Sequence, residues 1–180
     1  MSMRLRLGEV IRVLDRDSAL AIAHELGEVY AAAFDDGDAG NFATEMLPTH
    51  SARDDFKLVA ADQDGRLVGL AYGFTGHRGQ WWADRVADAV GPELAAEWIG
   101  GHFEVVELAV LPDVQRQGIG TALMRELMRG LHNPRALLTT YADDRPAPRL
   151  YRRLGWQLLV ADLGWGSALY GLDRRVPVGS

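Results

Sequence analysis

The segment Gln115-Arg116-Gln117-Gly118-Ile119-Gly120-Thr121 has residue types and spacing suited to holding a phosphate. An apolar run through Val110 and Leu111 precedes it. Behind it, Ile119, Ala122, Leu123, Leu127 and Leu131 recur at helical spacing. That order predicts a buried strand, a short turn and a helix start. At a helix start several backbone N–H groups point one way, and the helix dipole favours negative charge there. Gly118 and Gly120 let the backbone approach a bulky phosphate with no Cβ between. Beside this segment, Glu104 and Glu107 on the same strand are candidate proton acceptors. Apolar surroundings on a buried strand raise a carboxyl pKa toward the range useful for proton transfer.

Three phosphate-binding patterns compete for this loop. A nucleotide-hydrolysing P-loop needs a lysine after its last glycine, and neither glycine here is followed by one. A dinucleotide fingerprint needs a third glycine, where this chain has Leu123, and it opens a βαβ unit early in the chain. The pattern that remains is Gln/Arg-x-x-Gly-x-Gly at a strand-to-helix junction.

Glu107-Leu108-Ala109-Val110 followed by Gln115-Arg116-Gln117-Gly118-Ile119-Gly120 resembles the acetyl-CoA motif of the GNAT-type N-acetyltransferase superfamily. A second segment, Asp144-Arg145-Pro146-Ala147-Pro148-Arg149-Leu150-Tyr151-Arg152-Arg153-Leu154-Gly155-Trp156, resembles the family's N-x-x-A-x-x-L-Y-x-x-L-G-F stretch. The likeness of element order runs from about Glu9 to Asp173. It implies a mixed α/β fold, with a central, mostly antiparallel sheet splayed at a strand bulge and flanked by helices. It implies acetyl-CoA as cosubstrate and no metal. The backbone of Leu108, Ala109 and Val110 would pair with pantetheine. Gln115, Arg116, Gln117, Gly118, Ile119, Gly120 and Thr121 would surround the pyrophosphate, with N–H donors from Gln117 to Gly120 and the Thr121 hydroxyl. Asp144 stands where the family carries asparagine; an ionised aspartate accepts hydrogen bonds but donates none.

Acetyl transfer to an amine needs a base for the amine proton, a donor for the carbonyl oxygen and a proton for the sulfur. Tyr151 matches the family's tyrosine residue for residue and is expected to serve the sulfur. The N–H of Val110 is the expected oxyanion donor. For the base both glutamates stay open, with Glu107 favoured over Glu104; His102 and His77 are further options. The acceptor is expected to be a small-molecule or protein amine. A different class of function also fits the motifs, a domain that binds acetyl-CoA as a sensor or scaffold without transferring.

Elements must position these groups. Glu9 to Leu14 reads as a strand, then Asp15 or Asp17 caps a helix from about Ser18 to Phe34. Asn41 to Leu47 reads as a helical piece broken by Pro48. Phe56 to Ala61 and Arg66 to Thr75 read as a hairpin around Asp62-Gln63-Asp64-Gly65. Phe103 to Val110 is a strand, Gly118 to Leu131 a helix, Arg135 to Tyr141 a strand and Pro146 to Leu154 a helix. Trp156 to Asp162 and Ser167 to Asp173 form a last hairpin, followed by a loose tail from Arg174. The long link 76–101 is an elaboration, with a loop through Trp81-Trp82, a helical turn or two from Asp84 and a helix over Pro92 to Ile99. The tryptophan pair in a loop suggests an acceptor-site wall, a dimer contact or a small satellite core. Asp35, Asp36 and Asp38 form a turn that would attract a cationic amine.

The 180 residues suit a single domain over 1–180 with a real core. The absence of cysteine excludes disulfides, thiol nucleophiles and cysteine zinc sites. A net charge of −6 argues against a nucleic-acid partner. No apolar run reaches membrane-spanning length, and the N-terminus does not look like a signal peptide. The expected setting is the cytoplasm, away from membranes, with a homodimer possible.

Overall fold

A computed structural model describes residues 8–143 and 145–175. Seven strands form one sheet in the order β1-β2-β3-β4-β5-β7-β6. They are β1 (Glu9–Leu14), β2 (Lys57–Gln63), β3 (Arg66–Thr75), β4 (Phe103–Val110), β5 (Arg135–Tyr141), β6 (Gln157–Val160) and β7 (Ser167–Asp173). β4 and β5 run parallel, whereas β1-β2, β2-β3, β5-β7 and β6-β7 run antiparallel. The mixed, mostly antiparallel sheet with flanking helices is the expected architecture. The chain groups into two compact units. One comprises residues up to Phe74 with Val106–Gly130, the other Thr75–Val105 with residues from Leu131 onward.

In the first unit, Asp15 caps α1 (Arg16–Ala21) by accepting from the Ser18 N–H at 2.8 Å. The expected single helix over 18–34 is in fact two, because the chain breaks at Ile22 before α2 (Ala23–Ala33). Asp38 caps α3 (Ala39–Asn41), a π-helical turn follows over Phe42–Met46, and α4 (Leu47–Ser51) continues it. Pro48 therefore does not break the helix as expected. It sits in the first turn of α4, just after the wider π turn, a position where proline is tolerated.

The β2-β3 hairpin turns on Asp64 (φ 52°) and Gly65 (φ 80°). Two consecutive left-handed residues make the tight turn whose twist matches the strands. It is shorter than the expected four-residue turn, since Asp62 and Gln63 still belong to β2. Asp62 faces Leu67 while Ala61 faces Gly69, so Val68 is an extra residue and bulges. From there Gly69 and Ala71 face α7 (Ile119–Met128), and a Cβ on Gly69 would lie 3.0 Å from Leu123 Cδ1. Leu70 and Tyr72 face the other way. On that side Tyr30 stacks on Phe42 (4.9 Å), and Phe42 meets Tyr72 edge-on (6.1 Å).

In the second unit, β4 pairs with β5 at Phe103↔Ala136 and Glu104↔Leu137. The link 76–101 folds into α5 (Trp81–Val90) and α6 (Pro92–Trp98). Ala83, Val86 and Ala87 recur at helical spacing and pack with Ala95, Trp98, Ile99, Leu137, Leu163 and Leu169 in a core of their own. Gly171 on β7 accommodates Trp98: a Cβ there would come within 2.6 Å of the indole. α8 (Pro146–Arg153) follows β5. The expected loose tail is tied at its start. Arg174 donates to the Leu131 and Asn133 carbonyls at 2.7 Å each, and its N–H bonds Pro134 O. Among the described residues no helix is long and apolar enough to cross a membrane.

Candidate active site

In the first unit, β4 runs through Val110 into a 3₁₀ turn (Pro112–Val114) and then the glycine loop. The loop is anchored on both sides. The Leu111 N–H donates to the bulged Val68 carbonyl at 2.9 Å, and the Gln115 amide donates to Val110 O at 3.0 Å. Arg66 pairs with Asp113 at 2.9 Å, and the Gln63 amide donates to Gln117 Oε1 at 3.2 Å. Gln115 and Gln117 thus spend side-chain groups on holding the loop.

The backbone of the loop alternates in hand. Arg116 (φ 64°) and Gly118 (φ 86°) are both left-handed. Such alternation turns successive N–H groups into one concavity, a shape that takes anions. Glycine adopts this conformation freely, but Arg116 does so at a cost of about 1 kcal/mol. Strain of this kind marks functional loops. Gly118 is the N-cap of α7, and no side chain caps that helix. The N–H groups of its first turn therefore lack intrahelical and capping partners. Ile119 is buried, so it offers only its N–H to the site, and Gly120 and Thr121 are half-buried. The residues expected to supply donors, Gln117 to Thr121, thus lie at the start of this one helix. Leu108 and Val110 are half-buried and Ala109 is buried.

Glu107 lies three residues before the end of β4 and is half-buried. Burial pushes its carboxyl up to about 8, and the negative charge of Asp36 adds to the shift. Asp36 therefore acts on Glu107 electrostatically, which the sequence reading did not anticipate. Of the turn's other acids, Asp38 is spent on capping α3.

In the second unit Glu104 is 6% exposed, with the His102 ring beside it, Nε2 to Oε2 4.0 Å. His102, a further option for the base, is itself 1% exposed. The Gly100 N–H donates to His102 Nδ1 at 3.0 Å, so the ring proton belongs on Nε2. That Nε2 has no hydrogen-bond partner. Burial, with His77 nearby, holds the imidazole down at about 4, so it stays neutral at ordinary pH. Gly76 passes directly over the ring and leaves no room there for a side chain.

Tyr151 on α8 is buried, with ring neighbours Trp156 at 6.1 Å and Tyr170 at 6.3 Å. Asp144 lies outside the described residues. Trp81 and Trp82 do not sit in a loop; they open α5. Trp82 packs against the core of its unit, and its indole N–H meets Thr139 Oγ1 at 3.4 Å, so the satellite-core reading holds for it. Trp81 is 71% exposed, and Arg85 lies over both its ring (5.1 Å) and that of Trp165 (4.1 Å). Among the described residues no group of three or more histidines and carboxylates could hold a metal ion.

The family model for GNAT acetyltransferases matches residues 22–156, which span both the glycine loop and the Tyr151 segment. The chain belongs to the GNAT acetyltransferase family. It is 41% identical over 102 residues to a GCN5-like protein acetyltransferase of Mycobacterium tuberculosis, covering 52% of this chain and 50% of that protein. It is 32% identical over 140 residues to a mycothiol acetyltransferase of an Arthrobacter species, covering 72% of this chain and 37% of that protein. The chain thus spans half or less of the length of these curated relatives. In fold it is similar to Arabidopsis thaliana NAA60 in complex with acetyl-CoA, with a TM-score of 0.64 at 18% identity over 92% of this chain and 99% of that one.

Proposed function

We propose that this GNAT acetyltransferase domain transfers acetyl from acetyl-CoA to an amine by direct attack within a ternary complex. The observation that carries the reading is the uncapped start of α7, where left-handed Arg116 and Gly118 collect free backbone donors. Those donors fit a pyrophosphate. Gln117, Gly118, Ile119 and Gly120 would hold it through their N–H groups, helped by Thr121, and Leu108 to Val110 would hold pantetheine. The thioester supplies an activated acetyl carbon and a leaving sulfur.

Glu107 takes the proton that the amine sheds as its nitrogen bonds to that carbon. A carboxyl at about 8 is matched to this task, since a base works best with a pKa near the working pH. A cationic acceptor arriving near Glu107 and Asp36 would favour the ionised form of Glu107 and so prepare its own base. The Val110 N–H is assigned to the carbonyl oxygen. Tyr151, from its match to the family's tyrosine, gives its phenolic proton to the sulfur as the carbon–sulfur bond breaks. Glu104, with its histidine neighbour, is the alternative base.

The acceptor is a protein or small-molecule amine. A thermal-shift measurement with acetyl-CoA, followed by thiol release against a panel of lysine peptides, N-terminal peptides and small amines, tests the reading. Stabilisation with turnover of at least one amine is expected. Stabilisation with no turnover by any amine would turn the reading into a sensor or scaffold, and no shift with acetyl-CoA or CoA would end both.

A further inference from the structure

Lys57 is the sole lysine among the nineteen Lys and Arg residues of the chain. It opens β2 and is half-buried. Its ammonium donates to the carbonyls of Glu126 (2.6 Å) and Arg129 (2.8 Å). Those residues form the last turn and C-cap of α7, the helix whose other end carries the glycine loop. The last carbonyls of a helix lack intrahelical partners, and a cation there also meets the negative end of the dipole. A helix of ten residues has fewer than three turns, so its two ends are not independent.

We propose that Lys57 is an acetylation site whose modification releases the C-terminal end of α7 and thereby weakens binding at the glycine loop. The inference rests on the acetyl-CoA reading of that loop. Lys57 is the one side chain here that an activated acetyl group can convert to a stable amide, because guanidinium groups stay protonated. Clamped between two carbonyls, the ammonium is no nucleophile. When the helix end frays, Nζ gives one proton to water and attacks the acetyl carbon. With acetyl phosphate as donor, the nitrogen–carbon bond forms and the carbon–oxygen bond to phosphate breaks. Phosphate leaves with the electron pair, and the second nitrogen proton passes to water. The product keeps one N–H and no charge, so it can bond at most one of the two carbonyls.

Coupling then runs both ways. A ligand at the start of α7 holds the helix formed and shields Lys57, and acetylated Lys57 lowers the fraction of chain competent to bind. The test treats the full chain with acetyl phosphate, with and without saturating CoA, and maps the modified residue by mass spectrometry. The chain's terminal amine is the internal control. A parallel arm uses acetyl-CoA as the only donor. Lys57→Gln and Lys57→Arg are compared by melting temperature and by CoA titration. Expected are Lys57 acetylation by acetyl phosphate slowed severalfold by CoA, and none above background with acetyl-CoA, because that donor shields the site. A roughly fivefold affinity loss and a melting drop of about 3–6 °C are expected for Lys57→Gln, with both retained by Lys57→Arg. A wild-type chain that binds CoA yet shows no slowing, or Lys57→Gln binding like wild type, would overturn the inference alone. A wild-type chain that binds no CoA would overturn the acetyl-CoA reading itself, while the melting comparison would still report the cap.

Discussion

Replacing Glu107 by Gln should stabilise the protein in alkaline solution while removing its activity. The carboxyl ordinarily titrates at 4.5 and in the folded chain at about 8. Between those values the folded state keeps the proton and the unfolded state has released it. Unfolding therefore releases a proton, and stability falls as pH rises through this window. At about 1.4 kcal/mol per pH unit the full displacement would cost the fold about 5 kcal/mol above pH 8. Glu107 keeps some exposure, so water recovers part of this, and about 2–3 kcal/mol should be measurable. Glutamine has nearly the same shape and no charge, so it escapes the cost. Urea unfolding of both proteins at about pH 6 and about pH 8.5 reads the difference directly. The advantage of Glu107→Gln should grow between the two conditions and level off above pH 8. In turnover assays the same variant should lose on the order of a hundredfold in kcat, and the acid limb near pH 8 should vanish. Equal stability of the two proteins at both pH values would refute the burial argument. Full activity in the variant would move the base role to Glu104.

Other perturbations separate the remaining roles. Gly120→Glu should abolish acetyl-CoA binding in a calorimetric titration, because its carboxylate would stand against the pyrophosphate; unchanged affinity would remove the phosphate from this loop. Tyr151→Phe should lower turnover with little change in cofactor affinity, and a large affinity loss would make Tyr151, with its Trp156 and Tyr170 neighbours, a packing residue only. Gly171→Ala should cost about 1–3 kcal/mol in denaturant unfolding, since its Cβ would meet the Trp98 ring at 2.6 Å; a neutral change would mean that Trp98 moves freely. His102 should cause a loss of stability as pH falls from about 6.5 to about 4, because its folded form resists the proton that its unfolded form accepts. His102→Asn should flatten that part of the pH–stability curve, and an unchanged curve would place the acid-sensitive group elsewhere.

The parts of the fold legible in the sequence are those set by local rules. β1 matches Glu9 to Leu14, the β2-β3 hairpin turns at the expected Gly65 although its turn is two residues rather than four, and the glycine loop follows an apolar strand. The break at Ile22 and the π turn at Phe42–Met46 were not legible, because neither has a local pattern distinct from an α-helix. The tryptophan pair misled for a related reason. Gly79 before it signals a loop, but the apolar face formed by Ala83, Val86 and Ala87 needs the core supplied by Leu137, Leu163 and Leu169. At the site, the glycine motif showed where donors gather but not that Arg116 is left-handed. The burial of His102 and the displaced titration of Glu107 arise from neighbours distant in sequence, which spacing along the chain does not reveal.

Titrating isotopically labelled protein with acetyl-CoA, and following each backbone amide by NMR, tests the central claim most directly. The account predicts saturable shifts that are largest for the N–H groups of Gln117 to Thr121, and their loss in Gly120→Glu. Saturable binding that leaves those amides unmoved, or no binding at all, would contradict it.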